Sequence, residues 1–178
     1  MRTRRAGKVP VSTVAVFLVL GLTLSSLLAA KPLPDARDIF NSTNLLRIAI
    51  EISPEGVQTL QATHPGRGTQ EKPEAAATVI EGGHVYTNVS VQLKGFTTFD
   101  PIDRRPSLTL NFNKAVPKQK FHGLTKISLN NSYQDSTRLH EKLSRELFAA
   151  AGVPVPRSDF AVLTLNGREL GLYVLAEG

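Results

Sequence analysis

One short segment of the sequence combines residue types that could hold a phosphate group. Lys94-Gly95 is followed by Phe96-Thr97-Thr98 and stands between two stretches in which apolar and polar residues alternate. A glycine at this place lets backbone N–H groups approach an anion. The segment is therefore either a phosphate-facing loop or an ordinary turn between two strands.

Glu146 is a second candidate for chemistry, because of its place on a helix. At about 100° per residue it projects between Leu139 and Leu143 on an apolar stripe, whereas Glu141 points away from that stripe. A carboxylate buried without a partner is strongly unfavourable. Glu146 therefore either pairs with Lys142 at the edge of the stripe or holds a basic residue of a neighbouring sheet.

Several other kinds of site lack their sequence patterns. The chain has no cysteine, which excludes disulfides, thiol catalysis and a lipoprotein anchor. No G-x-S-x-G, Walker or G-x-G-x-x-G motif is present. The four histidines are scattered without metal-ligand spacing, at His64, His84, His122 and His140.

Alternating apolar residues predict a chain that is mostly strand. Gly82-Gly83 and Asn166-Gly167 are typical of tight hairpin turns, which need positive φ. A short helix is expected after Ser53-Pro54, with the serine as its cap. The predicted strands are 45–52, 77–81, 84–94, 107–112, 126–130, 160–165 and 170–175.

The clearest predicted helix covers residues 136–151. Asp135 or Ser136 can cap it, and Gly152 follows its end. Its apolar stripe consists of Leu139, Leu143, Leu147 and Ala150. These elements predict an α+β fold, in which this one long helix packs its stripe on a mostly antiparallel sheet.

The basic charge of the chain is concentrated at its beginning. The formal net charge is +6, and subtracting the four basic residues of the first ten positions leaves +2 for the rest. A balance so close to neutral gives no electrostatic footprint for nucleic acid. Residues 1–8 are basic and residues 9–30 are apolar, which is typical of a signal peptide or an uncleaved N-terminal anchor.

This pattern divides the chain into three parts and predicts its location. Residues 1–30 are the signal peptide or anchor, 31–44 a flexible lead-in, and 45–178 the folded domain. The domain is expected outside the cytoplasm, either secreted, periplasmic or held at the membrane through residues 9–30.

Several motifs in this domain resemble one known family. Leu129-Asn130-Asn131-Ser132 leads into Asp135-Ser136 and then into Leu139-x-Glu141-Lys142-Leu143-x-x-Glu146-Leu147-Phe148. Further matches are Val91 to Gly95, Arg105 to Phe112, Ala151 to Arg157 and Leu165 to Glu177. In this order the motifs resemble the CotH (spore coat protein H-like) kinase family.

The resemblance implies a protein-kinase-like N-lobe, with ATP and Mg or Mn as cofactors of full-length relatives. Lys94 and Gly95 match the family's basic residue and glycine, and Arg105 stands where the family usually has lysine. Glu141 and Glu146 match acidic positions of the family helix, and the stripe argument favours Glu146. Glu177 would begin the hinge.

In a kinase-like chain the acids that act on the acceptor and on the metal lie beyond the hinge, where this sequence stops. We therefore expect the N-terminal part of an exported CotH-like kinase that phosphorylates coat or envelope proteins, truncated before the C-lobe and inactive alone. The alternative is a non-enzymatic exported module that binds coat or envelope proteins. A lectin-like or adhesion domain is a more distant third hypothesis, because the chain has no Trp and three Tyr.

Overall fold

Seven β-strands pair in a closed circuit in the computed structural model, which describes residues 35–40, 42–64 and 72–178. The strands follow one another around the barrel in the order β1-β2-β3-β4-β5-β7-β6. Their bounds are β1 Leu46–Ile52, β2 Glu74–Glu81, β3 His84–Lys94, β4 Ser107–Asn111, β5 Lys126–Asn130, β6 Ser158–Leu165 and β7 Arg168–Glu177. Among the described residues three helices accompany them: α1 Arg37–Phe40, α2 Pro54–Gln61 and α3 His140–Ala150.

The barrel is closed by a parallel pairing between β6 and β1, while the other neighbouring strands pair antiparallel. In that pairing Ile48 lies opposite Leu163 and Ile50 opposite Leu165. The side chain of Asn166 fastens the same corner, because it accepts a hydrogen bond from the Ile52 N–H at 2.7 Å and donates to the Ile52 carbonyl at 3.0 Å. A β-sheet closed in this way has no free edge.

Alternate residues of each strand point into the barrel and form the core. Ile48 and Ile50 of β1 and Leu129 of β5 are almost fully buried. Phe112 stacks on Phe121 with their ring centroids 5.1 Å apart. Because seven strands leave an interior of limited width, the inward side chains of the strands fill most of it, and α3 adds no buried residue to the core.

The predicted α+β fold, a kinase-like N-lobe with one long helix packed on a sheet face, is therefore wrong. The sheet curls and closes on itself, so its inner face is covered by its own side chains. The helix α3 has no buried residue, and it lies outside the barrel. The protein is mostly β, with a closed seven-stranded barrel.

Most of the predicted strands and turns are confirmed as local elements. Ser53 caps α2 through a hydrogen bond from the Gly56 N–H at 3.2 Å. Asn166 and Gly167 both have positive φ, at 46° and 75°, as the hairpin turn between β6 and β7 requires. The helix expected from residue 136 begins at His140.

The segment predicted as a lead-in contains α1. Ala36 and Ile39 there are buried in the core cluster, which thus begins before the first strand. Residues 1–34 lie outside the described residues, and with them the predicted signal peptide or anchor at 1–30. Among the residues that the structure describes, no helix is long and apolar enough to cross a membrane.

Candidate functional site

Lys94, at the end of β3, lines a cavity of about 280 Å³ beside the first turn of α3. Its side chain is half-buried, and within the described part of the chain it makes no ion pair. Burial lowers the pKa of Lys94, and the negative charge of Glu141 acts in the opposite direction. The cavity therefore presents a partly desolvated ammonium group that lacks a direct counter-ion.

Glu141 is the carboxylate that α3 turns towards this lysine. Its Oε1 accepts hydrogen bonds from Asn130 Nδ2 at 2.6 Å and from Arg145 Nη2 at 2.8 Å. These bonds fix the side chain between the helix and the end of β5. They all reach one oxygen, so Oε2 is left without a hydrogen bond among the described residues.

Gly95 shapes the loop that follows Lys94. Its φ is +111°, and a Cβ at this position would lie 3.0 Å from the backbone N and Cα of Phe99. Any other residue would have a strained backbone here, and its side chain would collide with the backbone of Phe99. Gly95 therefore lets the chain fold back tightly at the cavity wall. The tight turn explains why a glycine is needed at this position of the predicted phosphate loop.

Arg105, the other predicted basic residue, is held by the backbone. Its Nε donates to the Leu170 carbonyl at 3.2 Å, its Nη1 to the Asn131 carbonyl at 2.8 Å, and its Nη2 to the Leu172 carbonyl. The guanidinium also lies over the Tyr173 ring, 4.8 Å from its centroid. Arg105 thus ties β7 to the turn after β5, and its predicted contact with a cofactor stays a prediction.

Glu146 of α3 is exposed, and the apolar stripe beside it faces solvent. Leu143 is 55% and Leu147 71% exposed. Glu146 pairs with Lys142 at 2.8 Å, which is the alternative left open by the sequence. The expectation that the stripe packs on the sheet is wrong. The helix instead contacts the barrel through charged side chains, since Lys142 also lies 3.5 Å from Asp159 of β6.

Glu177, predicted to begin a hinge, is the last residue of β7 and forms a bidentate ion pair with Arg157. Arg157 Nε donates to its Oε2 at 3.0 Å and Arg157 Nη2 to its Oε1 at 2.9 Å. The hydrogen bonds from this arginine keep the pKa of Glu177 below its usual value. Its carboxylate is thus engaged within the barrel wall, away from the residues that line the Lys94 cavity.

Sequence reasoning used the polar turn after β5 as part of a family motif and as a helix cap, but named no binding residue in it; the turn forms much of the cavity wall. Asn131 is buried and fully bonded, because its Nδ2 donates to the Arg105 carbonyl at 2.7 Å and its N–H to Ser107 Oγ at 3.0 Å. Asp135 accepts the N–H of His140, the first residue of α3, at 2.8 Å. The signal was the run of polar residues directly after an apolar strand.

A comparison with known families decides the membership of this segment. The family described as CotH kinase protein matches residues 92–178. This segment, just under half of the chain, matches the CotH family. The match includes Lys94, Glu141 and the whole lining of their cavity, so the candidate site lies within the CotH segment.

One curated relative supports the same assignment. Inner spore coat protein H of Bacillus subtilis (strain 168) is 35% identical to this chain over 57 residues. The aligned part is 32% of this chain and 16% of the relative. The chain thus spans much less than two thirds of that CotH protein.

The described residues differ in how well they fit the two cofactors that the family implies. The half-buried Lys94 and the tight Gly95 loop fit a phosphate group. For a divalent metal, no group of three or more His, Asp or Glu residues is arranged to hold an ion in residues 35–40, 42–64 and 72–178. The cavity thus presents an ammonium group beside a tight glycine loop, and no metal-ligand cluster occurs among the described residues.

Proposed function

We propose that the CotH segment binds the phosphates of a nucleotide in the cavity between Lys94 and Glu141, as part of a protein kinase reaction. Lys94 would donate to a phosphate oxygen, and Glu141 would orient Lys94 through its free Oε2. Bound ATP supplies the phosphoryl group in such a reaction. The residues described here bind and orient it.

The observation that carries this proposal is the unpaired state of Lys94. Lysine is rarely buried without a partner, because its charge loses hydration. Lys94 is half-buried in a cavity, while the nearby carboxylate of Glu141 is held by Asn130 and Arg145. A phosphate group would supply the missing negative charge, and the lowered pKa of Lys94 is consistent with an ammonium group that lacks it.

We limit the proposal to binding. Phosphoryl transfer needs a carboxylate near the acceptor hydroxyl and further acids on the metal ions, and the described residues do not fit a metal. We therefore expect this 178-residue chain to bind ATP without transferring phosphate. Incorporation of labelled phosphate into a coat protein by the purified chain, abolished in Lys94→Gln, would contradict this expectation.

The binding proposal is tested by titrating the purified chain with ATP and with inorganic tripolyphosphate. Lys94→Gln should weaken both ligands by about tenfold or more, since one charge-assisted hydrogen bond contributes roughly 1.5–3 kcal/mol. Lys120→Gln is the matched control, because Lys120 is exposed and outside the cavity. Equal affinities of the two variants would refute the proposal.

We also propose that the protein acts outside the cytoplasm, at a coat or envelope. The coat-protein relative and the basic-then-apolar beginning of the sequence support this location. Mass spectrometry of the N-terminus of the protein from cells tests it. A terminus near residue 31 indicates cleavage and release, an intact Met1 in the membrane fraction indicates anchoring, and an intact Met1 in the cytosol contradicts the proposal.

A second function, a non-enzymatic coat module, is favoured by the exposed leucines of α3. An apolar stripe that faces solvent is typical of a surface that contacts another protein. The test is the fraction of purified chain retained by isolated coat material. If Leu143→Ser/Leu147→Ser abolishes retention while the wild-type chain binds neither ATP nor tripolyphosphate, the coat module replaces the nucleotide site as the preferred function.

A further inference from the structure

A second cavity, of about 550 Å³, lies on the other side of the polar turn that follows β5. The two cavities share Asn131, Ser132, Tyr133, Gln134 and Asp135 as a common wall. The first is completed by Lys94 and Glu141, and the second by two arginines and an aspartate. The turn therefore separates two differently charged sites.

Arg138 is the unusual residue of this second cavity. It is half-buried, yet its guanidinium makes no hydrogen bond or ion pair with any residue in the described part of the chain. Its Nη1 lies near Gly171, 3.8 Å from where a Cβ of that glycine would be. The arginine therefore lies against β7 with its charge uncompensated.

Backbone geometry gives the same residue a second distinctive feature. Arg138 has a φ of +60° and Ser132, earlier in the same turn, a φ of +51°. Residues other than glycine, asparagine and aspartate seldom adopt this conformation, and it tends to occur at functional sites. The hydroxyl of Ser132 is also buried without a hydrogen-bond partner among the described residues.

Arg105 brings a second positive charge to the cavity. Arg105 and Arg138 both line this cavity, and the pKa of Arg105 is lowered by burial and by the charge of Arg138. Two like charges held together on one cavity wall favour the binding of an anion between or beside them. Arg105 is fixed by three backbone carbonyls, so its position is set before any ligand binds.

Two carboxylates in the same cavity are already occupied by the backbone. Asp100 Oδ2 accepts the Arg105 N–H at 3.1 Å. Asp135 accepts the N–H of Thr137 at 3.0 Å and that of His140 at 2.8 Å. They hold the walls in place and leave Arg138 unpaired. Their charges also mean that a ligand must be a strong anion to bind beside Arg138.

We propose that Arg138, supported by Arg105, binds a phosphoryl group at a site separate from the Lys94 cavity. The planar fork of a guanidinium matches two phosphoryl oxygens, and a phosphoryl dianion carries more charge than a carboxylate. The phosphoryl group can belong to a nucleotide or to a phosphorylated serine side chain. Both sources offer the same chemistry to Arg138.

The test is a set of titrations of the full chain with inorganic phosphate, O-phosphoserine and ATP. Arg138→Gln should weaken phosphate binding by about tenfold or more, and Arg138→Lys should weaken it less, because it keeps the charge and loses the fork. Arg104→Gln is the matched control, since Arg104 is an exposed neighbour outside the cavity. The melting temperature of each variant shows whether it is folded.

The outcomes separate the sources and the two proposals. Loss of O-phosphoserine but not ATP affinity in Arg138→Gln identifies a phosphorylated side chain, and loss of ATP but not O-phosphoserine affinity identifies the nucleotide. Loss of both supports a phosphoryl site that accepts either source. Equal phosphate affinity in folded Arg138→Gln and Arg104→Gln, or no phosphate binding by the wild type, overturns the inference. Lys94→Gln tests the nucleotide site alone, so either proposal can fail while the other holds.

Discussion

Replacing a leucine of α3 tests the orientation of that helix, on which the choice of site residues depends. Leu147 is 71% exposed, and Leu129 of β5 is fully buried inside the barrel. Burying a whole leucine side chain stabilises a protein by roughly 1.5–3 kcal/mol. Because less than a third of Leu147 is covered, Leu147→Ala should cost only about 0.5–0.9 kcal/mol.

The same substitution in the barrel should be far more costly. Leu129→Ala removes core contacts and leaves a cavity, which typically costs about 2–5 kcal/mol. Neither substitution introduces glycine or proline, so the backbone of α3 and of β5 keeps its conformation. The difference between the two variants therefore reports packing. Urea unfolding of the full chain, followed by circular dichroism, measures both free energies of unfolding.

The result that would refute this orientation is equally clear. If the leucine stripe of α3 packed on the sheet, Leu147→Ala would cost as much as Leu129→Ala. The difference between the two variants should instead be at least about 1 kcal/mol, with the m-value of both close to that of the wild type. Ser144→Ala, at an exposed position of the same helix, controls for helix propensity.

Two further predictions concern a charged cluster and a buried hydroxyl. Burial lowers the pKa of His122, but its hydrogen bonds to Glu81 and Asp38 outweigh this effect and raise the pKa above 6.5. The free energy of unfolding that this cluster contributes should therefore be complete below the unfolded pKa of histidine and should be lost as the pH rises through the folded pKa. His122→Asn should remove that loss in urea unfolding at a series of pH values, and an unchanged pH profile would contradict it. Tyr173→Phe should cost about 1–3 kcal/mol, because the Tyr173 hydroxyl donates to the buried Pro106 carbonyl at 3.0 Å; a free energy of unfolding equal to that of the wild type would show that this bond does not contribute.

Local elements could be predicted because their causes lie within a few residues. Asn166-Gly167 makes a tight turn for reasons that belong to those two residues, and Ser53 caps the helix that starts at the next residue. The alternation in each strand likewise reports which side chains face the core. These features need no knowledge of the rest of the chain.

Barrel closure could not be predicted, because it joins strands far apart in sequence. Opposite residues such as Ile48 and Leu163 are separated by most of the domain, and neither strand carries a local mark of a parallel partner. An open sheet leaves one apolar face uncovered, so an interpretation without closure requires a helix on that face. That assumption turned the leucine stripe of α3 inwards.

The choice between the two helix carboxylates followed from the same assumption. A helical projection shows which residues share a face, and it does not show which face meets the barrel. With the leucines placed inside, Glu146 became the buried acid. In the structure the helix attaches through its charged face, and Glu141 is the carboxylate that reaches Asn130 and the Lys94 cavity.

The most direct test of the proposed nucleotide site is the ATP affinity of Glu141→Gln compared with Glu146→Gln. The two variants make the same chemical change at two positions of one helix, of which only Glu141 lines the Lys94 cavity. If Glu141 orients Lys94 for a phosphate, Glu141→Gln should bind ATP several-fold more weakly and Glu146→Gln should bind it like the wild type. Loss of affinity in Glu146→Gln with none in Glu141→Gln would contradict the site proposed here.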